Sequence, residues 1–466
     1  MKKLCDLFEC DLDIEILGIE DDSRKIKDGY IFVATRGFNV DHYDYIDDAI
    51  KNGAVAIVVD RAVDCNVPVF VVNNINDYYF ELCSKYYDVF FDDFEFIGIT
   101  GTDGKTTTAS VVTELLEDVN NCCYIGTNGV RIGDEFLNTN NTTPCVSELF
   151  SHLKFVKERK CKVIVMEVSS ESLLHDRLKP FKFSLCGFTN ITEDHLNVHK
   201  TIENYRNCKF KLLDLLVEKS FVVVNGDDEN CKMIDKDNVY TFGFGSDNYC
   251  VIKNVKEMSK NVHFDLWIKN IKYKLISPFC GKYNIYNVTM AFLICMLRGV
   301  DTDYLIEKIS NLSIVSGRRE YLSFGQNFDI ILDYAHTYNG IKCLLESVSC
   351  YKKIIVVTGA AGGREKEKRP KIGKLILDNS DIAIFTMDDP RYENVDEIIN
   401  EMVSTSNKDY IRIINREAAI ARAFELADSD SVVLVIGKGR DNYMAIEDKK
   451  IPYCDFDTIE KYFINE

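Results

Sequence analysis

Short apolar runs recur along the chain, separated by polar stretches with helical or turn-forming character. YIFVA (Tyr30 to Ala34), AVAIVV (Ala54 to Val59) and VPVFVV (Val67 to Val72) predict three strands of a small α/β unit ending near Phe91. In FEFIGITGTDGKTTT an apolar strand runs into a glycine loop and then into a helical pattern, TASVVTELLEDV, so a second domain opens there. Buried-type strands follow at KVIVMEV (Lys162 to Val168), FSLCGFTNI (Phe183 to Ile191) and SFVVVNGDD (Ser220 to Asp228). After Gly317 come FDIILDYAH, KKIIVVTGAAGG, DIAIFTMDDP and SVVLVIGKGRD, each a strand that ends in a polar or glycine-rich loop. Strands alternating with helices predict mostly parallel sheets, and in such sheets ligands gather at strand ends. The expected organisation is α/β in three domains, residues 1–91, 92–315 and 316–466, with no internal repeat and no low-complexity linker.

Composition narrows the function classes. The 466 residues carry 56 Lys or Arg against 74 Asp or Glu, a formal charge of −18, which disfavours sequence-independent binding to nucleic acid or an anionic membrane. A local basic pocket for an anionic metabolite stays compatible with that charge. The N-terminal apolar residues are interrupted by acids and no run of about 18 apolar residues occurs, so neither secretion nor a membrane span is expected. The 17 cysteines are scattered and odd in number, which fits small thiols in a reducing cytoplasm better than disulfides or zinc.

The most specific chemistry lies in ITGTDGKTTT. Gly101 and Gly104 let backbone N–H groups close on phosphate oxygens, and the helix that follows adds its positive end. Lys105 would reach terminal phosphates, and Thr106 or Thr107 can offer a hydroxyl to Mg²⁺. The spacing, GxxGKTTT, departs from the strict Walker pattern. Glu167, His195 and Lys209 stand at other polar strand ends or helices; singly each is an ordinary residue, but beside a phosphate loop they fit Mg²⁺ chemistry. Glu167 could hold the loop metal, and a second ion would need a further anionic ligand near His195. A free lysine cannot supply it.

In order along the chain, ITGTDGKTTT, NNTTP (Asn140 to Pro144), MEVSS, FTNITEDHLNVH with YRNCK, SGRRE, LDYAHT, AAGGREKEKRP, MDDPR and IGKGRD resemble the motifs of the Mur ligases, most of all those that add the third residue of the peptidoglycan stem peptide. The resemblance begins as early as DSRKIKDGYIFVATRG (Asp22 to Gly37) and GAVAIVV. It implies a UDP-substrate domain, a central P-loop-type ATPase domain with a parallel sheet, and a Rossmann-like C-terminal domain for the incoming amino acid. The implied reaction phosphorylates a substrate carboxylate with ATP, and an amine then attacks the acyl phosphate. The implied catalytic residues are Lys105, Lys209 and His195, and the implied nucleotide contacts are Gly101, Thr102, Asp103, Gly104, Thr106, Thr107, Asn287, Arg318, Asp333 and His336, with Asn284 in the same motifs. The metal set is Thr106, Glu167, His195 and Lys209, the last as N6-carboxylysine, since carbamylation converts the ammonium to an anionic ligand.

By the same resemblance Ser23, Asn141, Thr142, Thr143, Ser169, His175 and Arg177 would contact the UDP-muramoyl peptide, with His175 where a glutamine is usual. Arg364, Asp388, Asp389, Pro390, Arg391, Gly437 and Asp441 would form the amino acid pocket. An arginine fork pairs bidentately with a carboxylate, so Arg364 and Arg391 favour meso-2,6-diaminopimelate over L-lysine. Asp389 replaces the usual asparagine and could attract an ammonium, and Arg440 puts a charge where a histidine is usual. The alternatives are another diamino acid on the same acceptor, a relative moved to another pathway, and a non-catalytic nucleotide-binding module. Cytoplasmic location, a monomer and small-molecule substrates, without nucleic acid or membrane, complete the expectation.

Overall fold

The computed structural model describes residues 2–36, 41–258 and 261–464. Gly37, the last residue of the DSRKIKDGYIFVATRG motif, lies outside the described residues. The chain forms two compact units: Met1–Thr100, Val112–Gly187 and Cys208–Val222 make the first, and Gly101–Val111, Phe188–Asn207 and Val223–Glu466 the second.

In the first unit, Gly18–Glu20, Tyr30–Val33, Ala54–Val59 and Val69–Val71 pair in that order, all parallel. Of these apolar runs, YIFVA and AVAIVV become central strands with both faces covered, since Phe32, Ala34, Ile57 and Val59 pack with Ile46 and Ala49 of helix Ile46–Lys51 while Ile31, Val33, Ala56 and Val58 are buried on the other face; VPVFVV supplies the partly exposed edge strand. Helix Ile75–Tyr87 follows, capped by the Asn74 side chain on the Asp77 N–H at 3.2 Å. A larger sheet has Val163–Glu167 parallel to both Cys122–Gly126 and Glu95–Thr100, with Met166 opposite Gly98 and Ile125. Gly129–Ile132 and Glu135–Leu137 extend it as an antiparallel meander, which the expected parallel pattern did not contain.

In the second unit, Val239–Gly243 pairs parallel with Cys250–Glu257, and Val262–Ile268 and Ile271–Ser277 then add antiparallel strands. These antiparallel strands were not among those read from the sequence. VHFDLWI is buried at Val262, Phe264, Leu266 and Ile268 and also at Asp265, whereas IKYKLIS, the edge strand, is buried only at Leu275 and Ser277. The second sheet runs Glu320–Leu322, Asp329–Asp333, Ser431–Ile436, Lys353–Thr358, Ile382–Phe385 and Ile411–Arg412. All its pairings are parallel except the first. Alternate residues of Ser431–Ile436 enter opposite cores: Val432, Leu434 and Ile436 on one face, Val433 and Val435 on the other. With both faces buried, the strand ends are left to carry the polar loops. None of the 17 cysteines is in a disulfide, and most of them are buried. Among the described residues no helix is long and apolar enough to cross a membrane.

Candidate active site

Strand Glu95–Thr100 delivers the glycine loop to the start of helix Lys105–Glu117. Gly101 and Gly104 have φ of 148° and 83°, and a Cβ on either would lie 1.8 Å from Thr189 Oγ1 or 2.4 Å from Asn287 Oδ1. Glycine is therefore required by backbone conformation and by close approach together. Lys105 Nζ donates to the carbonyls of Gly101 at 3.0 Å and Thr102 at 2.8 Å, which holds the ammonium at the loop. Thr189 and Asn190, just past the end of strand Phe183–Phe188, bond the loop instead of continuing the strand. Thr189 Oγ1 donates to the Asp103 carbonyl at 2.6 Å, and Asn190 Oδ1 accepts the Asp103 N–H at 3.0 Å. Sequence reasoning did not single out these two, although their place at a strand's carboxyl end was the available signal.

Residues distant in sequence complete this loop. Arg318 Nη2 donates to Thr106 Oγ1 at 3.0 Å, and its guanidinium lies 4.6 Å from the Tyr334 ring centre. The Arg318 Nε is buried with no hydrogen-bond partner. Thr337 Oγ1 lies 3.0 and 3.1 Å from the two Asp103 carboxylate oxygens and also caps its own helix at the Gly340 N–H. Burial pushes the Asp103 carboxyl above its ordinary range, opposed by the charges of His336 and Lys105. His336 Nδ1 is 2.8 Å from the Tyr334 carbonyl, which orients the ring. Asp333 is buried and accepts the N–H groups of Arg319 and Ala335, each at 2.6 Å; burial raises its carboxyl, opposed by Arg318. Asn287 Oδ1 accepts from Thr108 at 3.3 Å, and Asn287 Nδ2 donates to Asn284 at 3.3 Å. Asp103, Gly104, Thr107, Asn284, Asn287, Arg318 and Asp333 all line a cavity of about 560 Å³. Its volume and its mixture of aromatic and polar walls suit a nucleotide.

The same unit holds His195, in the left-handed region at φ 56°. Its Nε2 is 3.4 Å from Asp194 Oδ2, while Asp194 Oδ1 accepts from Lys368 at 3.2 Å. Burial favours the neutral acid at Asp194, but His195, Lys368 and His336 outweigh it and hold the carboxyl below its ordinary range.

In the first unit, Glu167 is completely buried at the end of its strand. Its Oε1 accepts from the Tyr124 hydroxyl and from the Thr127 N–H at 3.0 Å. A Cβ at Gly126 would stand 2.3 Å from that oxygen. Lys209 is 1% exposed near the end of helix Ile202–Phe210. Among the described residues no three His, Cys, Asp or Glu gather in a way that could hold a metal. A Mg²⁺ ion shared with phosphate oxygens needs only one or two carboxylates from the protein, so the donor set is compatible with it.

Several of the expected acceptor contacts also meet in the first unit. Thr143 Oγ1 donates to the Glu167 carbonyl at 2.8 Å and accepts the Ser169 N–H at 3.0 Å, Arg177 Nη1 reaches the Thr143 carbonyl at 3.5 Å, and Thr142 and Thr127 hydroxyls are 3.0 Å apart. Ser169 caps helix Ser170–Leu174 through the Ser172 N–H, and His175 ends it. Burial, then the charge of Arg177, lowers the His175 imidazolium. Asn141 Nδ2 lies 3.7 Å from Cys145 Sγ. Ser23 is buried, and its carbonyl accepts from Asn52.

The amino acid motifs converge in the second unit at the ends of the six-stranded sheet. Asp389 and Arg391 both adopt positive φ, 38° and 52°. The turn is braced by Gly362 N–H to the Asp389 carbonyl at 2.9 Å and by Arg391 N–H to the Ala445 carbonyl at 3.0 Å. A Cβ at Gly363 would be 3.5 Å from Arg391 Nη1, and one at Gly437 only 2.4 Å from Asp388 Oδ2. Burial pushes the Asp388 carboxyl up, opposed by Arg416 and Lys438. Asp441 Oδ1 accepts from the Tyr334 hydroxyl at 3.2 Å. Arg440 forms a two-pronged pair with Glu320 and stacks 3.4 Å from the Phe456 ring centre, so its charge is already paired within the protein. Two buried arginines brace this region without having stood out in the sequence. Arg369 pairs with Glu393 and Glu401 and reaches the Ala361 carbonyl, and Arg416 pairs with Asp455 and reaches the carbonyls of Met387 and Ile436.

Three family descriptions match in succession: the Mur ligase family catalytic domain at residues 14–83, the Mur ligase middle domain at 99–295, and the Mur ligase glutamate ligase domain at 317–439. Among similar proteins are the UDP-N-acetylmuramoyl-L-alanyl-D-glutamate--2,6-diaminopimelate ligases of Caldanaerobacter subterraneus, 34% identical over 96% of this chain and 95% of the relative, and of Clostridium botulinum, 35% identical over 96% and 95%. A solved structure of a ligase with that name aligns with a TM-score of 0.64 and 23% identity over 100% of this chain and 99% of the other. The MurF ligase of Thermotoga maritima in complex with ADP aligns at 0.67 and 21% over 91% and 94%.

Proposed function

The chain belongs to the Mur ligase family and is an ATP-dependent ligase, and on that premise we propose that it joins meso-2,6-diaminopimelate to UDP-N-acetylmuramoyl-L-alanyl-D-glutamate in peptidoglycan synthesis. The observation that carries the choice of amino acid is the braced Asp388 to Arg391 turn, with the Arg391 side chain packed against Gly363, the residue before Arg364 in the chain. Two arginines there suit a distal carboxylate, which L-lysine lacks. Relatives about a third identical over nearly their whole length carry the same activity in their names.

A carboxylate is a poor electrophile, and phosphorylation gives it a leaving group. The proposed nucleotide site is the 560 Å³ cavity lined by Asp103, Gly104, Thr107, Asn284, Asn287, Arg318 and Asp333, with the loop Gly101 to Thr107 proposed to hold the phosphates and His336 proposed as a further contact. Lys105, held at the loop by the Gly101 and Thr102 carbonyls, and the helix that starts at that residue are proposed to supply positive charge to phosphoryl oxygens. Arg318, bonded to Thr106, brings a second cation beside the loop. Mg²⁺ is the proposed metal, with two ions expected; the proposed donors within the second unit are Thr106 and His195, and those within the first are, separately, Glu167 and Lys209 as its carbamate. When bound it neutralises charge on the phosphoryl group and the substrate carboxylate. The proposed acceptor contacts are Ser23, Asn141, Thr142, Thr143, Ser169, His175 and Arg177. Gly437 and Asp441, with the Asp388 to Arg391 turn and Arg364, are proposed to receive the incoming amino acid, whose amine attacks the acyl phosphate. Cytoplasmic location fits the substrates, which are small soluble metabolites.

The test is phosphate release and product mass with ATP, Mg²⁺ and the UDP-dipeptide, comparing meso-diaminopimelate, L-lysine, L-ornithine and no amino acid. Product with diaminopimelate alone is expected. Equal use of L-lysine would overturn the amino acid assignment, and ATP turnover indifferent to both substrates would overturn the acceptor.

A further inference from the structure

Lys438 stands between Gly437 and Asp441 in the GKGRD run, and its side chain has no contact with solvent. A buried ammonium persists only where carboxylates compensate it. Its Nζ donates to Asp389 Oδ1 at 2.8 Å, lies 3.4 Å from Asp441 Oδ2, and feels the charge of Asp388. The ring of Tyr443 lies 5.5 Å away. Asp389 is the acid at the position where asparagine was expected, and taken by itself it would offer an ammonium a partner and so favour L-lysine. Its carboxylate is already engaged: the same Oδ1 accepts from Lys438 and from the Ala445 N–H at 2.9 Å. The turn that follows inherits that anchor, because Arg391 N–H bonds the carbonyl of the same Ala445. Of the remaining acids, Asp388 faces Gly437 and the field of Arg416, whereas Asp441 has one oxygen on the Tyr334 hydroxyl and the other only 3.4 Å from Lys438.

We propose that Lys438 is a positioning residue that determines amino acid specificity. By holding Asp389 in an internal ion pair, it withdraws that carboxylate from ammonium recognition and sets the turn bearing Arg391, so the pocket selects an amino acid with a carboxylate beside its far ammonium over one with an ammonium alone. This inference rests on the amino acid site of the proposed function. It also explains how an acid at position 389 is compatible with that function.

The experiment measures kcat and KM of the full-length protein for meso-diaminopimelate and L-lysine, for the unaltered chain, Lys438→Met and the double variant Lys438→Met with Asp389→Asn. In Lys438→Met, Asp389 carries an uncompensated charge, and the ratio of kcat/KM for diaminopimelate over lysine should fall by about tenfold or more, chiefly through KM. Removing that charge in the double variant should restore most of the ratio. Thermal unfolding of the same variants is an independent readout: Lys438→Met should melt lower, and the second substitution should recover most of the loss. A fall in kcat that is equal for both amino acids, or a double variant no better than the single one in ratio and in melting, would show that Lys438 is only a structural residue. If the unaltered protein prefers L-lysine, the amino acid reading itself fails and this inference with it; if it prefers diaminopimelate and Lys438→Met leaves the preference in place, only the inference fails.

Discussion

Thr337→Val probes how the N-cap of helix Tyr338–Ser347 holds the phosphate loop. The change conserves volume and deletes one hydroxyl, at a position 4% exposed. Two interactions go with it: the bond to the Asp103 carboxylate at 3.0 Å and the helix cap on Gly340 N–H at 2.9 Å. A hydrogen bond to a charged group is worth about 1.5–3 kcal/mol and a cap about 1 kcal/mol, so the loss should total roughly 2–4 kcal/mol. Asp103 would keep its backbone bonds to Thr189 and Asn190 but not the donor on its buried carboxylate. A loop that is competent only one-tenth of the time raises the apparent Kd for nucleotide tenfold, about 1.4 kcal/mol, and the interactions lost exceed that. The expected outcome is an ATP Kd, by calorimetry, raised about tenfold, and a melting temperature lower by roughly 5–10 °C. Thr337→Ser keeps the hydroxyl and should stay near the unaltered protein in both measurements. If Val and Ser variants behave alike, the Asp103 to Thr337 link does not hold the loop.

Three further outcomes are expected. Glu20 bonds Ser147 at 3.1 Å, and burial, then the charge of Asp21, pushes its carboxyl to about 7; because the folded value lies above the unfolded one, its contribution to stability is full below the unfolded pKa near 4.5 and is lost as pH rises through about 7. Glu20→Gln should therefore flatten the pH dependence of melting between those values, and an unchanged profile counts against the assignment. Arg416→Met leaves Asp455 buried without its partner and should cost about 3–5 kcal/mol in denaturant unfolding, whereas adding Asp455→Leu should recover much of it. Lys209→Ala should abolish most ligase activity and regain part of it with added short carboxylates; full activity without them would remove Lys209 from the metal set.

Much of this protein is legible in the order of its residues. Buried parallel strands announce themselves as continuous apolar runs, and AVAIVV, KKIIVV and SVVLVI each became a central strand because both faces are covered. The phosphate loop was legible for a related reason: Gly101 and Gly104 occupy backbone conformations and spaces that no other residue fits, so their chemistry is local and shows in a short motif. The antiparallel strands from Cys250 to Ser277 were missed because their apolar residues form no continuous run: CVIKNVKE is buried only over its first three residues and IKYKLIS only at Leu275 and Ser277. What tertiary structure alone decided is which charges are spent inside the protein. Arg440 and Asp389 read in sequence as a changed pocket, yet Arg440 pairs with Glu320, 120 positions away, and Asp389 with Lys438, 49 positions away. The bracing of Asp103 by Thr337 spans 234 residues. A residue's type states what it can bind, but burial and the partner that folding brings to it determine whether that capacity is still available to a substrate.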